Sequence, residues 1–132
     1  MNKKLVEVVA AVIENENNEI LCALRSPIMT LPNMWEFPGG KVEEGESLYT
    51  AIEREIKEEL KCSVKATEII GENRHEYEKI IVNLTAIKCN LVEGEPVADE
   101  HSKLIYLNKE NLESLVWAPA DIPLVKKVIN IK

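Results

Sequence analysis

Residues 35–62 read WEFPGGKVEEGESLYTAIEREIKEELKC, a loop rich in Pro and Gly that runs into an acidic segment. Apolar residues of this segment recur at helical spacing and predict one stripe that faces the core. They are Tyr49, Ile52, Ile56 and Leu60. Ser47 precedes the segment and is a favoured N-cap residue, and Glu46 lies where the helix dipole favours negative charge. The pattern predicts an amphipathic helix from about Ser47 onward.

Three glutamates share a second face of this helix, about a quarter turn from the apolar stripe. They are Glu55, Glu58 and Glu59. Like charges at this spacing repel each other, so a cluster of ionised carboxylates favours a bound cation. Mg²⁺ takes oxygen ligands and is typically shared between a few carboxylates and substrate phosphates. The alternative is a solvated acidic face with Lys57 and Lys61 as neighbours.

The loop and helix together resemble the Nudix box, the signature of the Nudix hydrolases, which cleave nucleoside diphosphates linked to another group. Gly40, Glu46 and the run Arg54 to Glu59 carry this resemblance, with matching spacing at every charged position. One position departs from the family pattern, because Lys61 stands where the family has glycine. Glycine would form a left-handed helix cap there, and another residue in that conformation costs on the order of 1–2 kcal/mol. The alternative is that Lys61 avoids the left-handed conformation and the helix ends with a different backbone geometry.

The resemblance implies cleavage of a phosphorus–oxygen bond by water, with Mg²⁺ as cofactor and Mn²⁺ as a possible substitute. The implied metal ligands are the Gly40 carbonyl, Glu55, Glu58, Glu59 and Glu100, and the four glutamates are also the catalytic candidates. The base that removes the proton from water is either Glu55 or Glu100. Glu46 and Arg54 are expected to form an ion pair between loop and helix that holds the Gly40 carbonyl in place.

The resemblance covers nearly the whole chain and implies the Nudix fold, an α+β fold in which a mixed sheet lies between helices as an α/β/α sandwich. Residues 35–41 look like the MutT-type branch, whose members hydrolyse nucleoside triphosphates to a nucleoside monophosphate and pyrophosphate. Glu100-His101 and residues 118–124 resemble the bacterial CTP pyrophosphohydrolases within that branch. With 132 residues and 45% hydrophobic content, the chain is expected to form one domain over residues 1–132.

The segments outside the central helix are predicted mainly as strands, from their β-branched and partly alternating residues. Residues 5–13 and 19–25 are predicted to form a hairpin, residues 63–72 and 78–89 an antiparallel pair with a bend or bulge at Gly71, and residues 102–107 a further strand. A short helix capped by Asn108 is predicted to follow, and a last helix to cover residues 122–131.

Asp121 is the most informative residue for recognition of the base. An ionised carboxylate accepts a hydrogen bond from the N4 amino group of cytosine, whereas O6 of guanine is itself an acceptor. An oxidised guanine such as that of 8-oxo-dGTP would suit an Asp121 that burial keeps protonated. The alternative interpretation of Asp121 is an N-cap of the last helix.

Five further residues are candidate contacts of the substrate. They are Arg25, Trp35, Phe37, Lys41 and Trp117. Arg25 is either a surface cation or, by the resemblance, a contact of substrate phosphate. Each tryptophan is either a stacking platform for the base or part of the core. His101, beside Glu100, either touches substrate or lies on the surface.

Composition narrows the class of protein. The net charge of −7 argues against a polymeric nucleic acid partner, which favours a clustered basic face. The sequence has no apolar run of about 18 residues and no signal-peptide pattern, so a cytoplasmic protein without membrane contact is expected. Its three cysteines have no zinc-site spacing and are expected to be reduced, partly buried thiols. The oligomeric state, monomer or homodimer, stays open.

The leading hypothesis is therefore a Mg²⁺-dependent pyrophosphohydrolase of nucleoside triphosphates, with CTP, dCTP and modified pyrimidine forms as substrates. A second hypothesis is an enzyme that removes 8-oxo-dGTP. Two hypotheses from other classes are a catalytically silent Nudix domain that binds a nucleotide as a sensor, and an interaction domain with no metal affinity.

Overall fold

The computed structural model describes residues 3–131. Its strands and α-helices are β1 Lys4–Ile13, β2 Glu19–Leu24, β3 Trp35–Glu36, β4 Gly39–Lys41, α1 Leu48–Leu60, β5 Ser63–Glu76, β6 Ile80–Glu93, β7 Lys103–Asn108 and α2 Ile122–Ile129. Two 3₁₀ helices, Lys109–Ser114 and Pro119–Asp121, connect β7 to α2. Within residues 3–131, no helix is both long enough and apolar enough to cross a membrane.

The strands form two sheets. The larger sheet has the order β4-β1-β6-β5. It is mixed, because β1 and β6 are parallel, whereas the pairs β1–β4 and β5–β6 are antiparallel. The smaller sheet has the order β3-β2-β7 and is antiparallel throughout. The mixed sheet predicted for the Nudix fold is therefore present.

Burial on both faces of β1 explains the layered architecture. Val9, Ala11 and Ile13 belong to one core cluster with the apolar stripe of α1, whereas Ala10 and Val12 belong to another with the buried residues of α2. Successive side chains of a strand point to opposite faces, so the continuous apolar run of β1 requires a helix on each side. The predicted α/β/α sandwich is confirmed.

The predicted hairpin of residues 5–13 and 19–25 is wrong. β1 and β2 lie in different sheets, and within residues 3–131 one isolated bridge, Glu14 to Ile20, joins the end of β1 to β2. β4 and β6 occupy the two edges of β1, so β2 pairs instead with β3 and β7. The polar turn between them is correctly predicted, with Asn18 at a φ of 60°.

The antiparallel pair β5–β6 is confirmed. Both strands extend past their predicted ends, to Glu76 and Glu93, and β6 begins later than predicted, at Ile80. The register shifts between Ile69 and Gly71, where the sequence predicts a bend or bulge. The helix predicted after β7 is a 3₁₀ helix, and the Asn108 side chain makes no capping hydrogen bond. α2 ends at Ile129, before the predicted end at residue 131.

The ends of α1 follow the sequence pattern closely. Oγ of Ser47 accepts a hydrogen bond from the backbone N–H of Thr50 at 3.1 Å, as an N-cap should. Lys61 adopts the left-handed cap conformation, with φ 57° and ψ 32°, at the position where the Nudix pattern has glycine. Three residues of the predicted stripe are fully buried, but Tyr49 is 37% exposed, so its assignment to the core is wrong.

All three cysteines are free and buried. Burial raises the pKa of Cys22 and of Cys89 to about 12. Because the thiolate is the reactive form, these thiols are inert at neutral pH, in agreement with the prediction.

Candidate active site

A cleft of about 770 Å³ lies against the mixed sheet. Its walls come from β1, β4 and β6, from β3, from the loop 29–31, and from two later segments, 100–101 and 118–121. Pockets of roughly 300–1,000 Å³ are the size that proteins use for small-molecule ligands. The cleft brings Glu59 of the Nudix box and Glu100 to the same cavity as Asp121.

One end of the cleft is acidic. Gly40, Glu59 and Glu100 line it, and Glu55 lies directly behind Gly40, where a side chain at position 40 would collide with the Glu55 carboxylate. Burial first, and then the negative charges of Glu55, Glu100 and Glu36, together raise the pKa of Glu59 to about 8. Several carboxylates therefore crowd a site that has too little positive charge to keep all of them ionised.

The guanidinium of Arg54 connects the Nudix loop with the helix. Its Nε and Nη2 donate to the two carboxylate oxygens of Glu46, at 2.6 and 2.9 Å, and Nη2 also donates to the Lys41 carbonyl at 3.1 Å. Nη1 donates to Glu55 at 2.8 Å and to Glu58 at 3.2 Å. Hydrogen bonds from Arg54, and then one from the Glu43 N–H, hold the pKa of Glu46 at about 2.

The oxygen donors at this end fit a hard divalent cation. Glu59 interacts electrostatically with Glu55 and Glu100, and the backbone of Gly40 approaches Glu55 closely. In residues 3–131, no group of three or more His, Cys, Asp or Glu side chains is arranged so that these side chains alone could hold a metal ion. Mg²⁺ does not require one, because it keeps several waters and takes one or two carboxylates together with substrate phosphates. Glu58 is the outermost candidate, with a side chain that is 60% exposed and paired with Arg54.

A second polar network crosses the middle of the cleft. Nη1 of Arg25 donates to Oε1 of Glu36 at 2.8 Å, and Nε2 of His101 lies 2.8 Å from Oε2 of the same carboxylate. Nε of Arg25 also donates to the Thr30 carbonyl at 2.6 Å. Arg25 and His101 are therefore wall residues of the cleft rather than free surface groups. Glu36 was not predicted, because a single glutamate in a chain with 30% charged residues carries no local signal.

Asp121 lines the same cleft and is 5% exposed; it lies apart from the acidic end, because Glu55, Glu100 and Glu36 affect the pKa of Glu59 and Asp121 does not. Its Oδ2 accepts a hydrogen bond from the Phe37 backbone N–H at 3.1 Å. Burial, and then the charge of Glu36, raise the pKa of Asp121 to about 8, against the opposing effects of the Phe37 N–H and Arg25. Asp121 occupies the N-cap position of α2, in agreement with the alternative interpretation, but its side chain makes no capping hydrogen bond.

The aromatic candidates separate into cleft and core. Phe37 is 2% exposed and lines the cleft, and its ring centroid lies 4.9 Å from that of Trp117. Trp117 is buried in the core, where its indole N–H donates to the Leu112 carbonyl at 2.7 Å. Trp35 packs against the same core cluster, and Lys41 is exposed. Phe37 thus reaches the cleft wall, whereas Trp35, Lys41 and Trp117 lie outside it.

Comparison with known proteins agrees with this geometry. The family model of the NUDIX domain matches residues 4–128. The chain belongs to the NUDIX family. The resemblance to Nudix hydrolases seen in residues 35–62 is therefore confirmed.

Relatives of this NUDIX protein include two curated bacterial enzymes and a solved structure. The CTP pyrophosphohydrolase of Escherichia coli K12 is 36% identical over 98% of this chain and 95% of its own length. The 8-oxo-dGTP diphosphatase of Haemophilus influenzae is 29% identical over 98% of this chain and 96% of its own. A MutT protein of the Nudix hydrolase family from methicillin-resistant Staphylococcus aureus 252 is 47% identical and superposes with a TM-score of 0.79, over 97% of this chain and 98% of that one.

Proposed function

We propose that this NUDIX protein is a Mg²⁺-dependent pyrophosphohydrolase that converts CTP and dCTP, including modified cytosine forms, to the nucleoside monophosphate and pyrophosphate. The observation that carries the proposal is the single cleft with an acidic Nudix-box end and a buried carboxyl group, Asp121, apart from that end. A nucleotide has the same two-ended chemistry, a polyphosphate that requires cations and a base that requires hydrogen bonds. The similarity to the E. coli CTP pyrophosphohydrolase supports the same substrate class.

The residues that would hold Mg²⁺ are Glu55, Glu59, Glu100 and the carbonyl of Gly40. When bound, the ion would neutralise the polyphosphate and orient it for in-line attack by water. Arg54 holds the loop and the helix of the site together without binding the metal itself. It donates hydrogen bonds to Glu46, to the Lys41 carbonyl next to Gly40, and to Glu55. Glu58, which is exposed and pairs with Arg54, is assigned as a further ligand of Mg²⁺.

The general base is assigned to Glu100. Of the two candidates, Glu100 lies on the wall of the cleft, whereas Oε1 of Glu55 accepts a hydrogen bond from Arg54. A base must lie within hydrogen-bond reach of the proton that it removes, directly or through one water. Glu100 comes from the segment before β7, whereas Glu55 and Glu59 come from α1, so the proposed base and the α1 ligands belong to different elements.

Recognition of cytosine is assigned to Asp121 and Phe37. One carboxyl oxygen of Asp121 is bound by the Phe37 N–H, which leaves the other oxygen for a base. An ionised Asp121 accepts from the cytosine N4 amino group, and a protonated Asp121 donates to cytosine N3. The ring of Phe37, backed by Trp117, supplies an apolar surface for the base.

The raised pKa of Asp121 favours 8-oxo-dGTP as a second candidate substrate. Near neutral pH a carboxyl group with a pKa of about 8 is mainly protonated and can donate to O6 of the oxidised guanine. The 8-oxo-dGTP diphosphatase of H. influenzae is one of the relatives of this chain.

The experiment that tests the base assignment compares kcat/KM for CTP, dCTP, 5-methyl-dCTP, dGTP and 8-oxo-dGTP with Mg²⁺. A preference for the cytosine nucleotides supports the proposal, and a preference for 8-oxo-dGTP replaces it with the second candidate. Asp121→Ala removes the carboxyl group in both of its protonation states, so it should lower the ratio of kcat/KM for CTP to that for UTP by about tenfold. An unchanged ratio would exclude Asp121 from base recognition.

A further inference from the structure

Two side chains from β5 and its following turn bind both backbone polar groups of Ala120, the residue before Asp121. The Ala120 N–H donates to Oη of Tyr77 at 3.0 Å, and the Ala120 carbonyl accepts from Nδ2 of Asn73 at 3.1 Å. Both contacts join parts of the chain that lie more than 40 residues apart, 43 for Tyr77 and 47 for Asn73. They are therefore tertiary contacts and not part of the local turn.

The backbone of Ala120 needs these partners. Ala120 is 4% exposed, and a buried N–H or C=O without a hydrogen bond carries a large desolvation penalty. The 3₁₀ turn Pro119–Asp121 supplies little of its own, chiefly the hydrogen bond from the Asp121 N–H to the Ala118 carbonyl at 2.9 Å. Together with the hydrogen bond from the Ala118 N–H to the Trp35 carbonyl at 2.9 Å, the side chains that bind Ala120 therefore hold the segment that carries Asp121.

Tyr77 lines the cleft, and two neighbouring residues contact it. Nζ of Lys3 donates to the Tyr77 carbonyl at 2.7 Å, and the Tyr77 ring lies 4.5 Å from the ring of His75. Burial raises the pKa of Tyr77, the Ala120 N–H lowers it, and the charge of Asp121 raises it. The hydroxyl group is thus within electrostatic range of the Asp121 carboxyl group.

We infer that Tyr77 and Asn73 are positioning residues for base selectivity, acting through Ala120 on Asp121. The inference rests on the proposed function, in which Asp121 contacts the base. In this inference neither side chain binds the phosphates or the metal. The two residues therefore affect the selectivity between bases and not the cleavage of the phosphate bond. They hold the carboxyl group at the point where a base edge meets it.

Tyr77→Phe removes the acceptor of the Ala120 N–H and keeps the ring. The measured quantity is the ratio of kcat/KM for CTP to that for UTP, which differs from CTP at the base edge alone. If 8-oxo-dGTP is the better substrate, the pair is 8-oxo-dGTP and dGTP. The ratio should fall by about tenfold, since small displacements of a positioned group cost this much. Asn73→Ala, which removes the donor to the Ala120 carbonyl, should lower the ratio in the same direction.

Tyr49→Phe is the matched control, because Oη of Tyr49 donates to the Thr67 carbonyl at 3.2 Å on an exposed part of α1. It should leave the ratio unchanged. In an Asp121→Ala background, Tyr77→Phe should have no further effect on the ratio, because its target is gone. An unchanged ratio in Tyr77→Phe, or an equal additional loss in the Asp121→Ala background, would overturn the inference.

A second readout does not depend on turnover. The Phe37 amide donates to Asp121, so its NMR resonance reports the position of that carboxyl group. Tyr77→Phe should shift the Phe37 amide resonance, and Tyr49→Phe should not. If the wild-type protein hydrolyses no triphosphate, the proposed function fails, and the Phe37 resonance alone decides whether Tyr77 positions Asp121. An unmoved resonance would overturn the positioning role.

Discussion

At the scale of single residues, the carboxyl group of Asp121 changes its hydrogen bonding with one proton. Burial raises its pKa to about 8, so near pH 7 the group is mainly a donor, and above pH 8 it is an acceptor. The sequence-based argument for cytosine assumed an ionised carboxylate and named protonation as the exception. Asp121 is therefore mainly in the protonated state, and a base that donates a hydrogen bond to it must displace its proton.

Asp121→Asn should reduce the loss of stability at high pH. The folded-state pKa of about 8 lies above the ordinary value of 3.8, so the contribution of the protonated group is complete below pH 3.8 and is lost as the pH rises toward 8. Asparagine does not titrate, yet its oxygen can still accept from the Phe37 N–H. Urea unfolding without metal at about pH 5 and about pH 9 measures the effect. An equal fall in the free energy of unfolding in both proteins would contradict the buried, protonated state.

Arg54→Lys should lower kcat with Mg²⁺ by roughly 10- to 100-fold, as is typical for residues that orient metal ligands. Lysine cannot pair with both oxygens of Glu46 while it also bonds to the Lys41 carbonyl and Glu55. Lys57→Arg on an exposed position of the same helix is the control and should retain activity. Wild-type kcat in Arg54→Lys would mean that the ion pair does not organise the acidic end.

At the scale of one element, α1 carries a strained end. Lys61 has a φ of 57° in the left-handed region, where the Nudix pattern has glycine. Its Nζ donates to the Glu58 carbonyl at 2.8 Å and lies 3.6 Å from Asp99, but the side chain is 54% exposed, so these contacts contribute little. The helix therefore closes in the family's conformation despite the unfavourable residue, because the buried stripe of α1 holds it in place.

Lys61→Gly should stabilise the protein by about 1 kcal/mol, since glycine adopts this conformation without strain. Thermal or urea unfolding measures the change. Lys61→Ala is the control, because it loses the same side-chain contacts and keeps the strain, so it should be neutral or destabilising. Equal stability of the Gly and Ala variants would show that the left-handed cap is not strained.

At the scale of the whole molecule, the local sequence pattern predicts the helices and strands, but it does not predict which distant residues contact each other. The box, the Ser47 cap and the β5–β6 pair are encoded by neighbouring residues and were predicted correctly. The partners of β2 and the contact between Glu36 and His101, 65 residues apart, depend on how the sheets assemble. The same holds for Asp121, which meets the Phe37 N–H across 84 residues, and for the Tyr77 contact with Ala120. A single sequence contains no signal for such pairs.

The most direct measurement follows CTP and its products by phosphorus NMR in the presence of Mg²⁺. The proposed function predicts CMP and pyrophosphate, little turnover after chelation of the metal, and a large loss in Glu59→Gln. Glu68→Gln, at an exposed position on β5, is the matched control and should behave as the wild type. CDP and inorganic phosphate as products, or turnover that persists in Glu59→Gln, would contradict the proposed cleavage at the acidic end of the cleft.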